Sequence, residues 1–492
     1  MYRQNADLNS KGGNTPSMLF SSIEFLLLFL PVTYGVNFLL PGKLRNYWLL
    51  LASLFFYAWG EPKFVFVMMA SICFNYLLAL GIERNRENRK AARAILALDV
   101  ILNLGILVVF KYLNFLTSNI HAWLPVSRTW FPETSIALPI GISFFTFQAM
   151  SYVIDVYRGI DAQKNPAYLG LYIALFPQLI AGPIVRYTTV MDQINERQIT
   201  AEGFKKGIMR FLLGFNKKIL LANVLSEVAD MAFASGNNTV CMAWMGALCY
   251  GLQLYFDFDG YSDMAIGLGR MLGFRFLENF NFPYISNTLT EFWRRWHISL
   301  TTWFRDYVYF PLGGSRVKPG RIVLNLFIVW FLTGLWHGAN WTYILWGILY
   351  GAVTIAERMW RIPKRLEEGP VSVRILYAVF IRVFHFIEWV IFRSVSLGAA
   401  GTYLKTMFGF SGHAFCDEWF LYWFREYSVF LVIGILCSTP IFRVMGEKLH
   451  LGRTVNGEWE SATGCVIQFI LFLISFSCLV MQANNPFIYF NF

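Results

Sequence analysis

One histidine ends a long apolar stretch and could act as a base inside a membrane. His337 follows the run from Ile322 to Trp336, which comes after a basic loop. Fifteen helical residues rise about 22 Å, so a helix starting in that loop would carry His337 deep into a hydrocarbon core of about 30 Å. Desolvation favours a neutral imidazole there, which can accept the proton of an alcohol. A hydrogen bond between two helices is the structural alternative.

A second histidine lies in the aromatic stretch FWRRWHISLTTWFRDY, residues 292–307. The spacing predicts an amphipathic helix at the membrane interface, with its aromatic side chains facing the protein. Six side chains form that face: Trp293, Trp296, Leu300, Trp303, Phe304 and Tyr307. His297 lies at the edge of the face and points toward the protein. A core histidine anchored by one hydrogen bond is the alternative to a catalytic role.

Three carboxylates interrupt apolar sequence in YFDFDGYSDMAIGLG, at Asp257, Asp259 and Asp263. Their spacing does not fit a calcium-binding loop, which needs a glycine at the sixth position and a glutamate at the twelfth. Asp259 or Ser262 could cap a helix that begins there, because these residue types are favoured at N-caps. One of them could also orient a histidine.

A glycine pair precedes Arg316 in YFPLGGSR. Backbone amides at Gly313 and Gly314 could approach a phosphate, but two glycines alone favour a turn.

A polar triplet follows within an apolar run. Arg382, His385 and Glu388 lie at steps of three and share a helix face. A mutually satisfied contact between helices is favoured there over catalysis.

The amino-acid composition indicates that the histidines and carboxylates described above are positioned by membrane helices. The 492 residues are 56% hydrophobic and 14% charged, whereas a soluble domain has about 25% charged residues. Soluble, disordered and fibrous classes are therefore excluded. We predict an all-α polytopic membrane protein with about 11 membrane-embedded helices, within a range of about 9 to 13. A single domain is expected over 18–492, with a catalytic core at about 136–360, after a polar extension at 1–17 that we exclude from the fold.

The predicted membrane-embedded runs lie near 19–40, 46–60, 63–82, 95–117, 136–157, 168–188, 206–230, 239–256, 322–336, 341–356, 375–396, 427–446 and 463–483. Two of them are interrupted. FPQLIAGPIVRY contains two prolines and a glycine, and FLTGLWHGANW reads as two short halves separated by glycines. Such breaks at membrane depth indicate an intramembrane site.

The net charge of +11 comes from short basic clusters between the apolar runs. This distribution is typical of cytoplasmic loops rather than of nucleic-acid binding. It places 83–94, the linker with Lys43 and Arg45, and 158–166 in the cytoplasm, and 118–135 outside. None of the seven cysteines forms a CxxC pair, so neither a zinc site nor a disulfide framework is predicted.

The long motifs resemble those of the membrane-bound O-acyltransferase family, in particular its bacterial branch of alginate O-acetyltransferase proteins. The resemblance rests on FWRRWHISLTTWFRDYVYFPLGGSR and TGLWHGANWTYILWGILYG, and also on LPIGISFFTFQAMSYVIDVYRG, FPQLIAGPIVRY and QLYFDFDGYSDMAIGLG. It runs from about Met18 to at least residue 360, and the last part of the chain matches only in hydropathy.

The resemblance implies an enzyme that transfers an acetyl group across the bacterial inner membrane, from cytoplasmic acetyl-CoA to a hydroxyl. The invariant histidine of the family corresponds to His337, and the WHISL histidine, which is asparagine in some members, corresponds to His297. Asp259 stands where the family pattern has a small residue. We expect acetyl-CoA to dock near His297 and Arg305. The predicted donor site or tunnel comprises Arg305, Trp296, Trp336, Asn340, Asp257 and Asp263.

No metal and no tightly bound cofactor are expected. The expected partners are membrane lipid, a periplasmic acetyltransferase of the SGNH type and the machinery that modifies a polysaccharide such as alginate, cellulose or peptidoglycan. The alternatives are acyl transfer such as D-alanyl transfer from a carrier-protein thioester, a secondary transporter, and a structural scaffold for a polysaccharide synthase. A transporter would more typically show paired repeats, and the WHGAN break has no matching partner elsewhere.

Overall fold

A computed structural model describes residues 18–124, 134–180, 182–236, 238–448 and 461–481. The predicted extension at 1–17 and the central part of the predicted external stretch 118–135 lie outside these ranges. Most of the described residues are helical and no strand occurs among them, so the all-α prediction is confirmed. The chain divides into two compact units, one of Met1–Gly207 with Ala265–Phe276 and the other of Ile208–Met264 with Leu277–Phe492.

Apolar sequence forms the helices of the first half of the chain. They are α1 (Leu30–Leu39), α2 (Gly42–Gly60), α3 (Val65–Arg84), α4 (Arg89–Leu107), α5 (Leu113–Trp123), α6 (Ile142–Tyr157), α7 (Pro166–Ala174), α8 (Phe176–Leu179), α9 (Tyr187–Asn195), α10 (Ala201–Asn216) and α11 (Val224–Ala234). Short π-helical segments at Phe25–Phe29, Val108–Tyr112 and Lys217–Asn223 adjoin them. The predicted break in FPQLIAGPIVRY is confirmed, because Gly182 to Arg186 are not helical.

The second half continues with α12 (Val240–Met271), α13 (Leu289–Phe292), α14 (Ile298–Phe304), α15 (Pro319–His337), α16 (Trp341–Met359), α17 (Ile362–Glu368), α18 (Val371–Arg393), α19 (Leu397–Met407), α20 (Glu418–Cys437), α21 (Ile441–Lys448) and α22 (Ala462–Met481). The predicted bounds of the apolar run at 427–446 are wrong, because the helix there spans Glu418–Cys437. The Asp417 side chain accepts the Phe420 N–H at 2.8 Å and caps the start of α20, and α20 ends before Pro440.

Within the described ranges, six helices are long and apolar enough to cross a membrane: Val65–Arg84, Arg89–Trp123, Pro319–His337, Val371–Arg393, Glu418–Cys437 and Ala462–Met481. Phe25–Leu39 is a shorter apolar helical stretch. The chain is therefore a multi-pass membrane protein.

The interruption predicted in FLTGLWHGANW is confirmed at 338–340, but the prediction that the two halves are short is wrong. Helices α15 and α16 have 19 residues each and form a hairpin with a turn at 338–340. Gly334 lies inside α15, where a Cβ would stand 2.5 Å from the Tyr343 carbonyl oxygen and 3.3 Å from the Cα of Gly347. Small residues at this crossing let the two backbones touch, as is common between membrane helices.

The ends of helices α15 and α18 define the two ends of the second unit. The Asn340 side chain, in the hairpin turn, donates to the Val395 carbonyl at 3.1 Å, just after α18 ends. Arg374, in the first turn of α18, lines a cavity together with Pro319 at the start of α15. The turn and this cavity therefore lie at opposite ends of the unit.

A disulfide joins Cys241 to Cys416, so the prediction of no disulfide framework is wrong. The segment around Cys416 also pairs with the start of α12, because the Cys241 N–H donates to the Phe415 carbonyl at 2.9 Å. Tyr403 of α19 donates to the Ala243 carbonyl at 2.9 Å. The disulfide thus fastens the connection between α19 and α20 to the beginning of α12.

Candidate functional site

His337 is the last residue of α15 and is 3% exposed. Its imidazole packs against aromatic rings from α15, α16 and α18. The ring centroids lie 4.9 Å away for Trp336, 4.9 Å for Trp346 and 5.3 Å for Phe392. The predicted burial of His337 is confirmed, and three helices fix the position of its ring.

A small cavity of about 20 Å³ adjoins His337. Its wall is aromatic apart from His337 and Leu254, and it includes Phe292, Trp293, Trp296, Trp346, Tyr350, Trp389 and Phe392. A space of this size can hold about one water molecule. A reacting oxygen atom could occupy it beside the imidazole.

The helix predicted over 292–307 is broken at His297. Helix α13 ends at Phe292 and α14 begins at Ile298, because His297 adopts a left-handed conformation with φ of +43°. The Ile298 N–H donates to the Asn279 carbonyl at 3.0 Å, which holds the break in place. The aromatic face remains buried as predicted, since Trp293, Trp296 and Trp303 are each less than a tenth exposed.

His297 is fully buried. Its ring stands edge-on to Phe258, with centroids 4.7 Å apart, and lies 5.7 Å from the ring of Trp336. The Nδ1 atom lies 3.2 Å from Oδ1 of Asn279. His297 lies outside the six helices that are long and apolar enough to cross a membrane. Burial lowers the pKa of its imidazole to about 3. The imidazole is therefore neutral at physiological pH, because desolvation disfavours the charged form.

Trp336 is the structural link between the two histidines. It contacts the ring of His297 as well as that of its neighbour His337. The structure therefore brings His297, Trp336 and His337 together with Trp296.

The three aspartates belong to an ionic cluster with lysines. Asp259 and Ser262 lie inside the unbroken helix α12, so the prediction that they cap a helix is wrong. Lys217 Nζ lies 2.6 Å from Asp259 and 2.7 Å from Asp263, and Lys218 Nζ lies 2.5 Å from Asp257. The carboxylates neutralise cations of α10 and of the π-helical segment that follows it, and their charges pair there instead of orienting a histidine.

Arg210 extends the ionic cluster. Its guanidinium lies 2.7 Å from Asp263 and 2.6 Å from Glu278. Glu278 precedes Asn279, which contacts His297. The cluster therefore anchors the segment that carries the contact to His297.

Two other predicted site residues have structural roles. Asn340 is the N-cap of α16, where its Oδ1 accepts the Thr342 N–H at 3.2 Å. Arg305 is exposed and lies 2.7 Å from the carboxylate of its neighbour Asp306. Neither residue lines the cavity beside His337.

Comparison with known proteins decides the family. A sequence model of the membrane-bound O-acyltransferase family matches residues 95–368. The chain is 46% identical over 402 residues to a probable alginate O-acetylase of Azotobacter vinelandii, which covers 81% of this chain and 80% of that protein. It is 40% identical over 495 residues to a probable alginate O-acetylase of Pseudomonas putida, and the alignment covers 96% of this chain and 100% of that protein. It is 32% identical over 530 residues to the peptidoglycan O-acetyltransferase of Helicobacter pylori, and the alignment covers 96% of this chain and 98% of that protein.

The chain belongs to the membrane-bound O-acyltransferase family. It is therefore an O-acyltransferase, as the two histidine-containing motifs predicted. The matched region includes His297, His337 and the whole α15–α16 hairpin.

A second cavity of this O-acyltransferase, of about 1020 Å³, was not predicted from the sequence. Four arginines from three separate segments line it: Arg294, Arg358, Arg361 and Arg374. None of the four forms an ion pair within the described residues. Two of the three acidic side chains on the wall have other partners, since Glu357 accepts the Leu289 and Thr290 N–H groups at 2.7 Å each and Glu291 pairs with Arg295. The third is Glu367.

The two cavities of the O-acyltransferase share one wall. Arg294 faces the large cavity, whereas Trp293 and Trp296 of the same segment line the small cavity beside His337. Pro319 at the start of α15 lines the large cavity, and His337 ends the same helix, about 27 Å farther along its axis.

Two further sequence interpretations have a direct outcome. Gly313 and Gly314 adopt positive φ values of 103° and 56° in a turn, as predicted. The prediction that Arg382, His385 and Glu388 of α18 form a mutually satisfied contact is wrong. His385 bonds to the Tyr350 hydroxyl at 2.9 Å, but both carboxylate oxygens of Glu388 lack a hydrogen-bond partner among the described residues.

Proposed function

We propose that this O-acyltransferase moves an acetyl group from cytoplasmic acetyl-CoA to a hydroxyl on the periplasmic side of the bacterial inner membrane, with His337 as the general base. The names of the relatives support acetyl as the group and a cell-surface polysaccharide as its destination. A periplasmic acetyltransferase of the SGNH type would carry the acetyl group onward to that polymer.

One observation carries this proposal. A single helix, α15, connects a large arginine-lined cavity at its first residue with the buried imidazole of His337 at its last. A donor with several phosphates fits the first site, and a hydroxyl fits the second. The segment that carries Arg294 and Trp296 lines both cavities, and in this proposal the thioester arm passes along it toward His337.

The distribution of charge and cysteine supports the orientation. The arginine-lined end is basic, as cytoplasmic ends of membrane helices are. The disulfide between Cys241 and Cys416 lies near the other end, and disulfides persist in the oxidising periplasm. His337 lies toward that second end, where an acceptor could approach it.

The chemistry follows from a neutral imidazole beside an alcohol. His337 takes the hydroxyl proton while the oxygen attacks the thioester carbonyl, which gives a tetrahedral intermediate. The carbon–sulfur bond then breaks, the ester forms, and the CoA thiolate takes the proton from the imidazolium to leave as a thiol. The aromatic wall excludes water, which would otherwise compete as the nucleophile.

The four cavity arginines are the proposed partners of the CoA phosphates. Guanidinium groups bind phosphate oxygens in pairs of parallel hydrogen bonds. Arg305, which the sequence suggested for this role, is held by Asp306 outside the cavity. We therefore move the proposed donor site from Arg305 to Arg294, Arg358, Arg361 and Arg374.

The test is acetyl transfer in membranes or reconstituted vesicles, with labelled acetyl-CoA and a periplasmic acceptor fraction. We compare wild type, His337→Ala and His413→Ala at matched protein levels. His413 bonds to the Asn238 carbonyl at 2.8 Å and touches neither cavity, so it controls for the loss of a histidine. Label should reach the acceptor with wild type and His413→Ala and should be lost with His337→Ala.

Two results would overturn the assignments. Equal transfer by His337→Ala would remove His337 as the base. No label with wild type in the presence of an intact acceptor fraction, together with transfer from a carrier-protein thioester, would change the donor.

A further inference from the structure

The Nε2 atom of His297 has no hydrogen-bond partner among the described residues, although the residue is fully buried. A buried polar atom without a partner is costly, so it usually marks a place where a ligand or a water binds. Whether this atom donates or accepts depends on the tautomer of the ring, which is set by the groups around Nδ1.

Asn279 decides which tautomer is present. Its Oδ1 accepts the Ser299 N–H at 3.2 Å and the Ser299 hydroxyl at 2.9 Å. Its amide group donates to the Ser262 hydroxyl at 3.1 Å. A backbone N–H can only donate, so the amide cannot be flipped without placing two donors against each other. The atom 3.2 Å from Nδ1 of His297 is therefore an oxygen.

An amide oxygen is only an acceptor, so Nδ1 of His297 carries the proton. The Ser299 hydroxyl also lies 3.4 Å from Nδ1, but its proton is used in the shorter bond to Asn279. In the neutral ring, Nε2 then holds a lone pair and accepts hydrogen bonds.

The groups that face the ring of His297 are uncharged. Phe258 of α12 and Trp336 of α15 contact it, and Asn279 and Ser299 bond to it. The carboxylates on either side of Phe258 in α12 are both paired, Asp257 with Lys218 and Asp259 with Lys217. Among the described residues, the hydrogen bonds and ring contacts given for His297 are therefore all to uncharged groups.

We propose that Asn279 is a positioning residue that holds His297 in the Nδ1–H tautomer and thereby presents Nε2 as a buried acceptor for an N–H or O–H group of a substrate. The identity of that substrate rests on the proposed acetyl transfer. Two groups have the required chemistry, namely an amide N–H in the pantetheine arm of the donor and the hydroxyl of the acceptor.

The tautomer can be measured without any transfer reaction. The full chain is prepared with ¹⁵N-labelled histidine, and the signals of His297 among the six histidines are assigned by their loss in His297→Gln. We expect the chemical shifts of a protonated Nδ1 and an unprotonated Nε2 in wild type. A protonated Nε2 would overturn the proposal, whatever the outcome for acetyl transfer.

Three variants test the role of Asn279 in transfer. Asn279→Leu has a similar shape but no acceptor, and should give mixed tautomers and lower transfer by about 10- to 100-fold, as removal of a group that orients a functional imidazole does. Ser262→Ala removes only the bond to the Asn279 amide and should stay within about threefold of wild type, since a typical hydrogen bond contributes little net free energy. Wild-type transfer and a single tautomer in Asn279→Leu would contradict the proposal.

Asn279→Asp separates positioning from a purely structural role. A carboxylate can accept the same three hydrogen bonds, so the Nδ1–H tautomer should persist. Its charge raises the pKa of His297, so transfer should be lost at a higher pH than in wild type as the pH falls. An unchanged pH profile of transfer would show that Nε2 takes no part. A higher KM for acetyl-CoA alone would identify the donor amide as the bound group, and a higher KM for the acceptor alone would identify the hydroxyl.

Discussion

The ring of His297 lies 5.7 Å from the ring of Trp336, between centroids. Trp336 in turn packs 4.9 Å from its neighbour His337, so one indole supports both imidazoles. The positions of the two histidines are therefore coupled through a single side chain.

Replacing that indole should disturb transfer more than it disturbs folding. Trp336→Ala leaves a void between the two imidazoles, and small misplacements of reacting groups can cost about 100-fold in rate. Trp336→Phe keeps an aromatic ring and should retain most of the activity. The measurement is the initial rate of labelled acetyl transfer at matched protein levels.

Trp330→Ala is the matched control. Trp330 is a buried tryptophan of the same helix that stacks on Tyr350 and stands edge-on to Trp293, and its ring contacts are with these side chains. Both alanine variants should lose about 3–5 kcal/mol of stability. Equal transfer rates in the two variants would argue against a specific role for Trp336.

The arginine-lined cavity predicts where the donor binds. Arg358→Gln and Arg294→Gln should each raise the KM for acetyl-CoA by about tenfold, because each removes a charge-assisted hydrogen bond to a phosphate. Arg305→Gln should leave this KM unchanged, since Arg305 lies outside the cavity and pairs with Asp306. An increase in KM for Arg305→Gln alone would return the donor site to the position suggested by the sequence.

The sequence predicted the fold class, the buried position of His337 and the buried aromatic face next to His297, because all three follow from local hydropathy. It did not predict the break at His297, since the Asn279 carbonyl that receives the Ile298 N–H lies in a different segment. The pairing of Asp259 with Lys217 was missed for the same reason.

Features assembled from distant segments could not be read from spacing. The cysteines of the disulfide are 175 residues apart, and connectivity cannot be deduced from sequence alone. The cavity arginines come from α16, α18 and the segments near them, and each one alone resembles an ordinary cytoplasmic charge.

The disulfide predicts the orientation of the chain. In spheroplasts, a membrane-impermeant maleimide should add two labels only after treatment with an impermeant reductant, because Cys241 and Cys416 would face the periplasm. The double variant C241S/C416S should show no such increase, which controls for Cys73 and the other free thiols. Labels that appear only after the membrane is permeabilised would reverse the proposed orientation.

Removing one partner of the ion pair between Lys218 and Asp257 should destabilise the protein, whereas replacing both partners should not. Both side chains are 2% exposed, and Nζ lies 2.5 Å from Oδ1. Asp257→Leu leaves a buried ammonium without this carboxylate and should cost about 3–5 kcal/mol, whereas apolar replacement of both partners is often nearly neutral. The melting temperature in detergent should therefore fall in Asp257→Leu and recover in K218M/D257L.

The pair of partly exposed Lys206 and exposed Glu202 provides the control for this cycle. Its charges stay in contact with water, so Lys206→Met should change the melting temperature little. If Asp257→Leu melted at the wild-type temperature, the buried pair would contribute nothing to stability. If the double variant were stable but inactive, the ionic cluster would instead be needed for transfer, through Arg210, Glu278 and the adjoining Asn279 that contacts His297.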